Sequence, residues 1–176
     1  MNLLTYRQPT HGYRSNACEH GLEGFSDSGR AWRWPITNHI RRRAHINLLK
    51  FLGSIICVCI DTADKAIPPE SCILSMGENT SAMRWMRKSN FKNDGENDTY
   101  TVEKLTAARH LAQILQDASS CLYTQWFPRE DNDVSNSLSR DHHLSTTVLT
   151  NLLSSSIPHH LPPNFKIAPL TSVIDL

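Results

Sequence analysis

Residues 38–59 read NHIRRRAHINLLKFLGSIICVC and contain no proline. Apolar side chains recur through this stretch at intervals of three and four residues, at Ile40, Ala44, Leu48, Phe51 and Ile55. This spacing places them on one face of an α-helix, and Asn38 is a residue type that often begins a helix. The stretch therefore predicts one long helix whose apolar face must pack against another layer.

The segments before this helix are short and strand-like. Residues 13–18, 22–25 and 31–34 are rich in aromatic and apolar side chains. Residues 26–29 read SDSG, a quartet typical of the turn between antiparallel strands. We expect three consecutive antiparallel strands.

The segments after the helix alternate between strand-like and helical patterns. Pro68 and Pro69 end the helical pattern. Beyond them the sequence predicts a buried strand at 72–76, a helix at 79–88, a polar surface loop at 89–99, a helix at 102–115, a strand at 121–127 and a short helix at 134–140. The order βββ-α-β-α-α-β-α is that of an α/β domain.

Length and composition indicate one domain with flanking segments. The chain has 176 residues, of which 39% are hydrophobic, and this is too apolar for wholesale disorder. We divide it into a flexible lead-in at 1–12, a folded domain at 13–141 and a Pro-, His- and Ser-containing tail or connector at 142–176. The net charge of +1 gives no support for strong non-specific binding to nucleic acid or acidic membranes.

Cysteine usage and hydropathy favour an intracellular protein, cytoplasmic or nuclear. The five cysteines form no CxxC pair, and their odd number leaves one without a disulfide partner. No secretory signal is visible at the N-terminus. The most apolar stretch, residues 48–60, is shorter than the roughly 20 residues that span a bilayer, so no membrane association is expected.

Four short motifs carry a resemblance to a known family. They are SNAC at 15–18 followed by Gly21, HINLLK at 45–50, LSMGEN at 74–79 and NDVSNSLSR at 132–140. In this order and spacing they resemble the ribonuclease H domain of retroelement reverse transcriptases, most of all those of DIRS-type and related tyrosine-recombinase elements. The resemblance implies a ribonuclease H-like fold with a five-stranded mixed sheet, in which β1-β2-β3 are antiparallel and helices cover both faces. It also implies a parent polyprotein with an upstream polymerase domain.

The family hydrolyses the RNA strand of an RNA–DNA hybrid with two Mg²⁺ ions held by four carboxylates. Those positions fall here on Asn16, Lys50, Glu78 and Asn136, and none keeps the family's residue. The charge of the four positions changes from −4 to 0. At about 4 Å and an effective dielectric constant near 20, the charge of Lys50 repels a divalent cation by about 8 kcal/mol. We therefore expect no cofactor, no bound metal and an inactive domain.

Three interpretations of the substituted positions stay open. The domain is kept for binding or assembly without catalysis, either as a nucleic-acid-binding domain or as a structural or protein-interaction remnant, or it is a decayed element copy without selected function. In the third, activity persists as residual Mg²⁺-dependent hybrid cleavage through other carboxylates, for which the candidates are Glu19, Glu23, Asp131 and Asp133. A single strand does not place Glu19 or Glu23 at the same site as Asn16, which counts against this interpretation.

Several residues are candidates for contact with an RNA–DNA hybrid or another nucleic acid. These are Arg41, Arg42, Arg43, Asn47, Asn79, Arg84, Arg87 and Lys88. Cations along a helix face can follow a phosphate backbone, although such runs are often solvated surface, and the two asparagines could instead cap helices. For Trp32, Trp34, Trp85 and Trp126 core packing is favoured over base stacking. The histidine pairs at 142–143 and 159–160 have no further ligand at suitable spacing nearby, so they do not predict a metal site.

Overall fold

The computed structural model describes residues 7–88 and 100–169. The strands are β1 His11–Ala17, β2 Gly21–Ser26, β3 Arg30–Pro35, β4 Cys72–Gly77, β5 Cys121–Trp126 and β6 Lys166–Ile167. The helices are α1 Asn38–Arg43, α2 Ile46–Ala63, α3 Thr80–Lys88, α4 Thr101–Asp117, α5 Asp133–Arg140 and α6 Thr146–Ser156. The loop predicted at 89–99 lies outside the described residues.

The strands form one mixed sheet in the order β5-β4-β1-β2-β3-β6. β1, β2 and β3 are antiparallel neighbours, whereas β4 runs parallel to β1 and β5 runs parallel to β4. The predicted α/β class and the antiparallel β1-β2-β3 unit are therefore confirmed.

The sheet has six strands, so the expectation of five is wrong. The sixth strand is the two-residue β6, which pairs parallel with β3 through Arg30–Lys166 and Ala31–Ile167. It belongs to the segment predicted as a tail or connector, where α6 also packs: Leu149 and Leu153 are buried against Phe25 and Ala31. A strand of two residues is too short to show alternating polar and apolar side chains, so no sequence pattern predicts it.

The turn predicted between β2 and β3 is present. Gly29 has a φ of +92°, and its amide donates a hydrogen bond to the Ser26 carbonyl oxygen at 2.9 Å. A residue with a side chain would be strained in this conformation, which explains why glycine ends the SDSG quartet.

The single long helix predicted for 38–59 is wrong, because the chain forms two helices. Ala44 is extended, with φ −90° and ψ 126°, and ends α1. His45 begins α2: its Nδ1 atom accepts a hydrogen bond from the Asn47 amide at 3.2 Å. The apolar spacing continues across the break and therefore hides it.

Helix α2 is the centre of the core. Phe51 and Val58 on α2 are fully buried, and the Phe51 ring meets that of Trp85 on α3 edge to face at 5.8 Å between centroids. By length and hydropathy α2 could cross a membrane, but 61% of it is buried inside the fold, as expected for a central helix of a globular core.

Alternate residues of β1 show that helices cover both sheet faces. Ser15 bonds to Ser54 of α2 at 2.7 Å between their hydroxyl oxygens, whereas the next residue, Asn16, bonds to Asn136 of α5. Because neighbouring strand residues point to opposite faces, α2 and α5 lie on opposite sides of the sheet.

Candidate functional site

The ends of the two parallel strands β1 and β4 bring the first and third predicted positions together. Arg14 on β1 pairs with Met76 on β4 in the parallel ladder. Two residues further along the chain lie Asn16 in β1 and Glu78, which directly follows β4, so both lie at the same edge of the sheet. Lys50 comes from the first turns of α2, and Asn136 from the middle of α5.

Lys50 and Glu78 form a direct ion pair. The Lys50 Nζ atom donates to the Glu78 Oε1 atom. Their side chains are only 14% and 10% exposed, so the pair is largely shielded from water. The other carboxylate oxygen of Glu78 is buried and has no hydrogen-bond partner among the described residues.

Asn16 and Asn136 form a second pair, and it is neutral. The Asn16 Nδ2 group donates to the Asn136 Oδ1 atom at 3.3 Å. The Asn16 Oδ1 atom accepts from the Ala17 amide at 2.8 Å, and the Asn136 Nδ2 group donates to the Arg129 carbonyl oxygen at 3.5 Å. Both amide oxygens are thus already hydrogen-bonded within the protein.

Two further predicted residues, Asn47 and Asn79, meet beside the ion pair. Asn79 Nδ2 donates to Asn47 Oδ1 at 2.8 Å, and Asn79 Oδ1 accepts from the Ala82 amide at 2.8 Å. Asn79 therefore caps α3 and ties it to α2. Asn79, Lys50 and Glu78 line the same narrow crevice.

Comparison with known proteins identifies the fold. No protein-family model and no curated protein sequence matches this chain. Among solved structures, ribonuclease H1 of the halophilic archaeon Halobacterium salinarum superposes with a TM-score of 0.52 and 15% identity, over 74% of this chain and 93% of the archaeal one. This chain has a ribonuclease H-like fold. The N-terminal ribonuclease H domain of a Mycobacterium tuberculosis protein also matches, with 12% identity and a TM-score of 0.49, over 81% of this chain and 96% of that one.

The donor set at the four positions of this ribonuclease H-like domain does not fit two divalent cations. Glu78 supplies the one carboxylate among them, and Lys50 neutralises it. Mg²⁺ favours carboxylate oxygens in octahedral geometry, whereas the oxygens of Asn16 and Asn136 are neutral and already accept hydrogen bonds. Within residues 7–88 and 100–169, no group of three His, Cys, Asp or Glu side chains could hold a metal ion.

Sequence reasoning placed Glu23 away from the site, and this was wrong. Glu23 lies on β2 directly opposite Asn16 in the antiparallel ladder, so the two side chains share a sheet face. The Glu23 side chain is fully buried. Burial raises the pKa of its carboxyl group well above the usual range, while Ser135 and the backbone of Asn16 lower this pKa by less. The sequence pattern predicts the strand that contains Glu23, but only the pairing register of β1 and β2 places Glu23 beside Asn16.

The other three alternative carboxylates are placed differently. Glu19 is exposed and pairs with Arg41, and its other oxygen lies 3.4 Å from His20. Asp133 pairs with His160 at 3.3 Å. Asp131 is exposed and follows β5 in a short 3-10 turn.

The predicted basic residues divide between two helices. Arg41, Arg42 and Arg43 form the exposed last turn of α1. On α3, Arg84, Arg87 and Lys88 are exposed, while Ala82, Met83, Trp85 and Met86 face the core.

Sequence reasoning missed a polar groove at the β1–β2 turn. Arg41 lines this groove of about 410 Å³ together with Arg140, His142 and His143. The His142 ring lies against Gly21, where an added Cβ atom would come within 1.8 Å of Nε2. Burial lowers the pKa of His142, and the charges of Arg33 and His20 lower it further. Only the tertiary fold brings these separate segments together.

The tryptophans do not share one environment. Trp32 and Trp85 are buried, so core packing is confirmed for them, and Trp34 is half-buried against the core. Trp126 is 52% exposed, so core packing is wrong for it. It is the last residue of the edge strand β5, which leaves its ring uncovered on one side.

Proposed function

We propose that this chain is a ribonuclease H-like module derived from a retroelement reverse transcriptase, which binds nucleic acid, with RNA–DNA hybrid as its first ligand, and does not cleave it. Its fold supports nucleic-acid binding, and the four motifs at 15–21, 45–50, 74–79 and 132–140 support the retroelement origin. In the parent polyprotein a polymerase domain would precede it, and it would act inside the cell. The observation that carries the proposal is the Lys50–Glu78 ion pair.

This ion pair replaces a metal-binding charge pattern with a cation and an anion that neutralise each other. A nucleic-acid backbone presents phosphate anions, and either metal ions or cationic side chains can neutralise them. The exposed basic residues of α1 and α3 would therefore meet the phosphates. Binding would therefore proceed without added Mg²⁺.

The same substitutions remove the means of cleavage. Hydrolysis of a phosphodiester by this family's chemistry needs carboxylates that position two metal ions, one for the attacking water and one for the leaving oxygen. Among the four positions only Glu78 carries a carboxylate, and Lys50 occupies one of its oxygens. Glu23 adds little to this charge, because burial raises the pKa of its carboxyl group well above the usual range and so favours the uncharged form.

A second candidate is a structural or protein-interaction remnant. The four side chains bind one another in two pairs, Asn16 with Asn136 and Lys50 with Glu78, and neither pair needs a ligand. This favours the second candidate. The exposed cations of α1 and α3 favour nucleic acid instead.

The test is binding and cleavage of a labelled RNA–DNA hybrid by the unaltered chain, at two salt concentrations and with Mg²⁺ or Mn²⁺. Binding that weakens steeply with salt, without cleavage, supports the proposal. No binding, or salt-insensitive self-association, favours the structural remnant. Metal-dependent cleavage would contradict the proposed inactivity.

A further inference from the structure

Trp126 stands exposed beside the candidate site in a fixed orientation. Its Nε1–H group donates a hydrogen bond to the Glu78 backbone carbonyl oxygen at 2.9 Å. In the parallel ladder Trp126 pairs with Gly77, the residue before Glu78. The polar end of the indole is therefore engaged, and the exposed half of the side chain is the aromatic surface.

Glu78 holds two different groups at one place. Its side chain binds the Lys50 ammonium group, and its backbone carbonyl holds the Trp126 indole. A cation and an exposed aromatic ring are thus anchored on the same residue. Of these two groups only the ring is exposed, and it offers a face on which a planar base can stack.

The ring distinguishes paired from unpaired bases. In a duplex the faces of the bases are stacked on one another, whereas an unpaired base has a free face. Stacking of such bases on aromatic side chains is a common source of affinity for single strands and tolerates any base. The Lys50–Glu78 pair beside the ring carries no net charge, so the ring is the group that would distinguish an unpaired base.

We propose that Trp126, anchored on the Glu78 backbone carbonyl beside the candidate site, forms a stacking subsite for one unpaired base, so that this chain prefers nucleic acid with a single-stranded end. This inference rests on the proposed nucleic-acid binding and adds a ligand preference to it. Trp126 is the residue that stacks on the base.

The experiment compares the affinity of the full chain for a blunt RNA–DNA hybrid and for the same hybrid with a single-stranded RNA overhang. The unaltered chain should bind the overhang hybrid about tenfold more tightly, in line with the effect of one stacked base. W126A should erase this difference, and W126F should retain most of it because the phenyl ring still offers a stacking face. Q125A is the matched control, since Gln125 is the exposed neighbour on β5 and its loss should leave the difference unchanged.

Fluorescence supplies a second readout. Trp32 and Trp85 are buried, so quenching of tryptophan emission on addition of the overhang RNA should come mainly from Trp126 and be strongly reduced in W126F. Equal affinity of the unaltered chain for the blunt and overhang hybrids overturns the subsite and leaves the proposed function standing. A difference that survives in a folded W126A variant also overturns it. Absence of binding to both hybrids overturns the proposed function and this inference together.

Discussion

Glu23 lies directly opposite Asn16 on neighbouring strands, and its carboxyl group is fully buried between the sheet and α5. Neither carboxyl oxygen forms a hydrogen bond of normal distance and angle with the described residues. Asn132, which directly precedes α5, and Ser135 on α5 are also buried, and their side-chain polar atoms have no hydrogen-bond partner among the described residues. This environment favours the uncharged form of Glu23, since an isolated buried charge is strongly disfavoured.

The first prediction concerns the pH dependence that Glu23 gives to stability. Its pKa in the fold is well above the ordinary value of 4.5, so between these two values the folded chain holds one proton more than the unfolded chain. Stability is then greatest below about pH 4.5 and falls as pH rises towards the pKa in the fold, by up to about tenfold in the folding equilibrium per pH unit. E23Q should lose this component and become relatively more stable than the unaltered chain as pH rises, as measured by urea unfolding at several pH values. Parallel pH profiles for the two proteins would show that Glu23 is ionised in the fold.

The second prediction concerns the contribution of the Lys50–Glu78 pair. K50M leaves the shielded Glu78 carboxylate without its cation and should lower the free energy of unfolding by about 3 kcal/mol, since breaking a buried pair costs more than replacing it. K50M/E78Q removes both charges and should recover most of this loss. Chemical unfolding of the three proteins measures both effects, and equal stability of K50M and the unaltered chain would mean that the pair is solvated.

The third prediction concerns restoration of the substituted positions. Together, N16D, K50E, E78D and N136D recreate four carboxylates where the two pairs now lie. If these positions correspond to the family's site, a folded quadruple variant should cleave the RNA strand of a hybrid in Mg²⁺. Hybrid binding without cleavage by this variant would count against the assignment of the four positions.

The fourth prediction concerns the basic end of α1. Arg42 and Arg43 are exposed, and each phosphate contact contributes about one unit to the slope of log affinity against log salt concentration. R42A/R43A should weaken hybrid binding and reduce that slope by about two. K65A is the control, because Lys65 follows the opposite end of α2, about 20 Å from Lys50, and should leave the slope unchanged. A slope that stays the same in R42A/R43A would show that α1 lies outside the binding surface.

The sequence was a good guide where a pattern is local and repeated. The SDSG turn, the strand at 72–76 and the helix at 102–115 all appear in the structure, because turn chemistry and apolar periodicity are properties of neighbouring residues. Patterns failed for two different reasons. The break at Ala44 is a local capping effect of His45, which the continuous apolar spacing hides, whereas β6 depends on the distant edge that β3 offers.

The candidate site shows the same division. The motifs located Asn16 and Glu78, and the parallel register of β1 and β4 then brought them to one edge. Glu23 and Trp126 were misjudged for a different reason. The place of Glu23 depends on hairpin register, and the exposure of Trp126 depends on β5 being an edge strand. Neither property can be inferred from the local sequence around these two residues.

The central claim is that this domain binds an RNA–DNA hybrid without the metal ions that carboxylates at the four positions would otherwise hold. The most direct test is the affinity of the unaltered chain for an RNA–DNA hybrid in Mg²⁺ and in EDTA, at matched ionic strength, with the integrity of the RNA strand followed in the same samples. We predict equal affinities and an intact RNA strand in both conditions. Binding or cleavage that appears with Mg²⁺ and disappears in EDTA would contradict the claim.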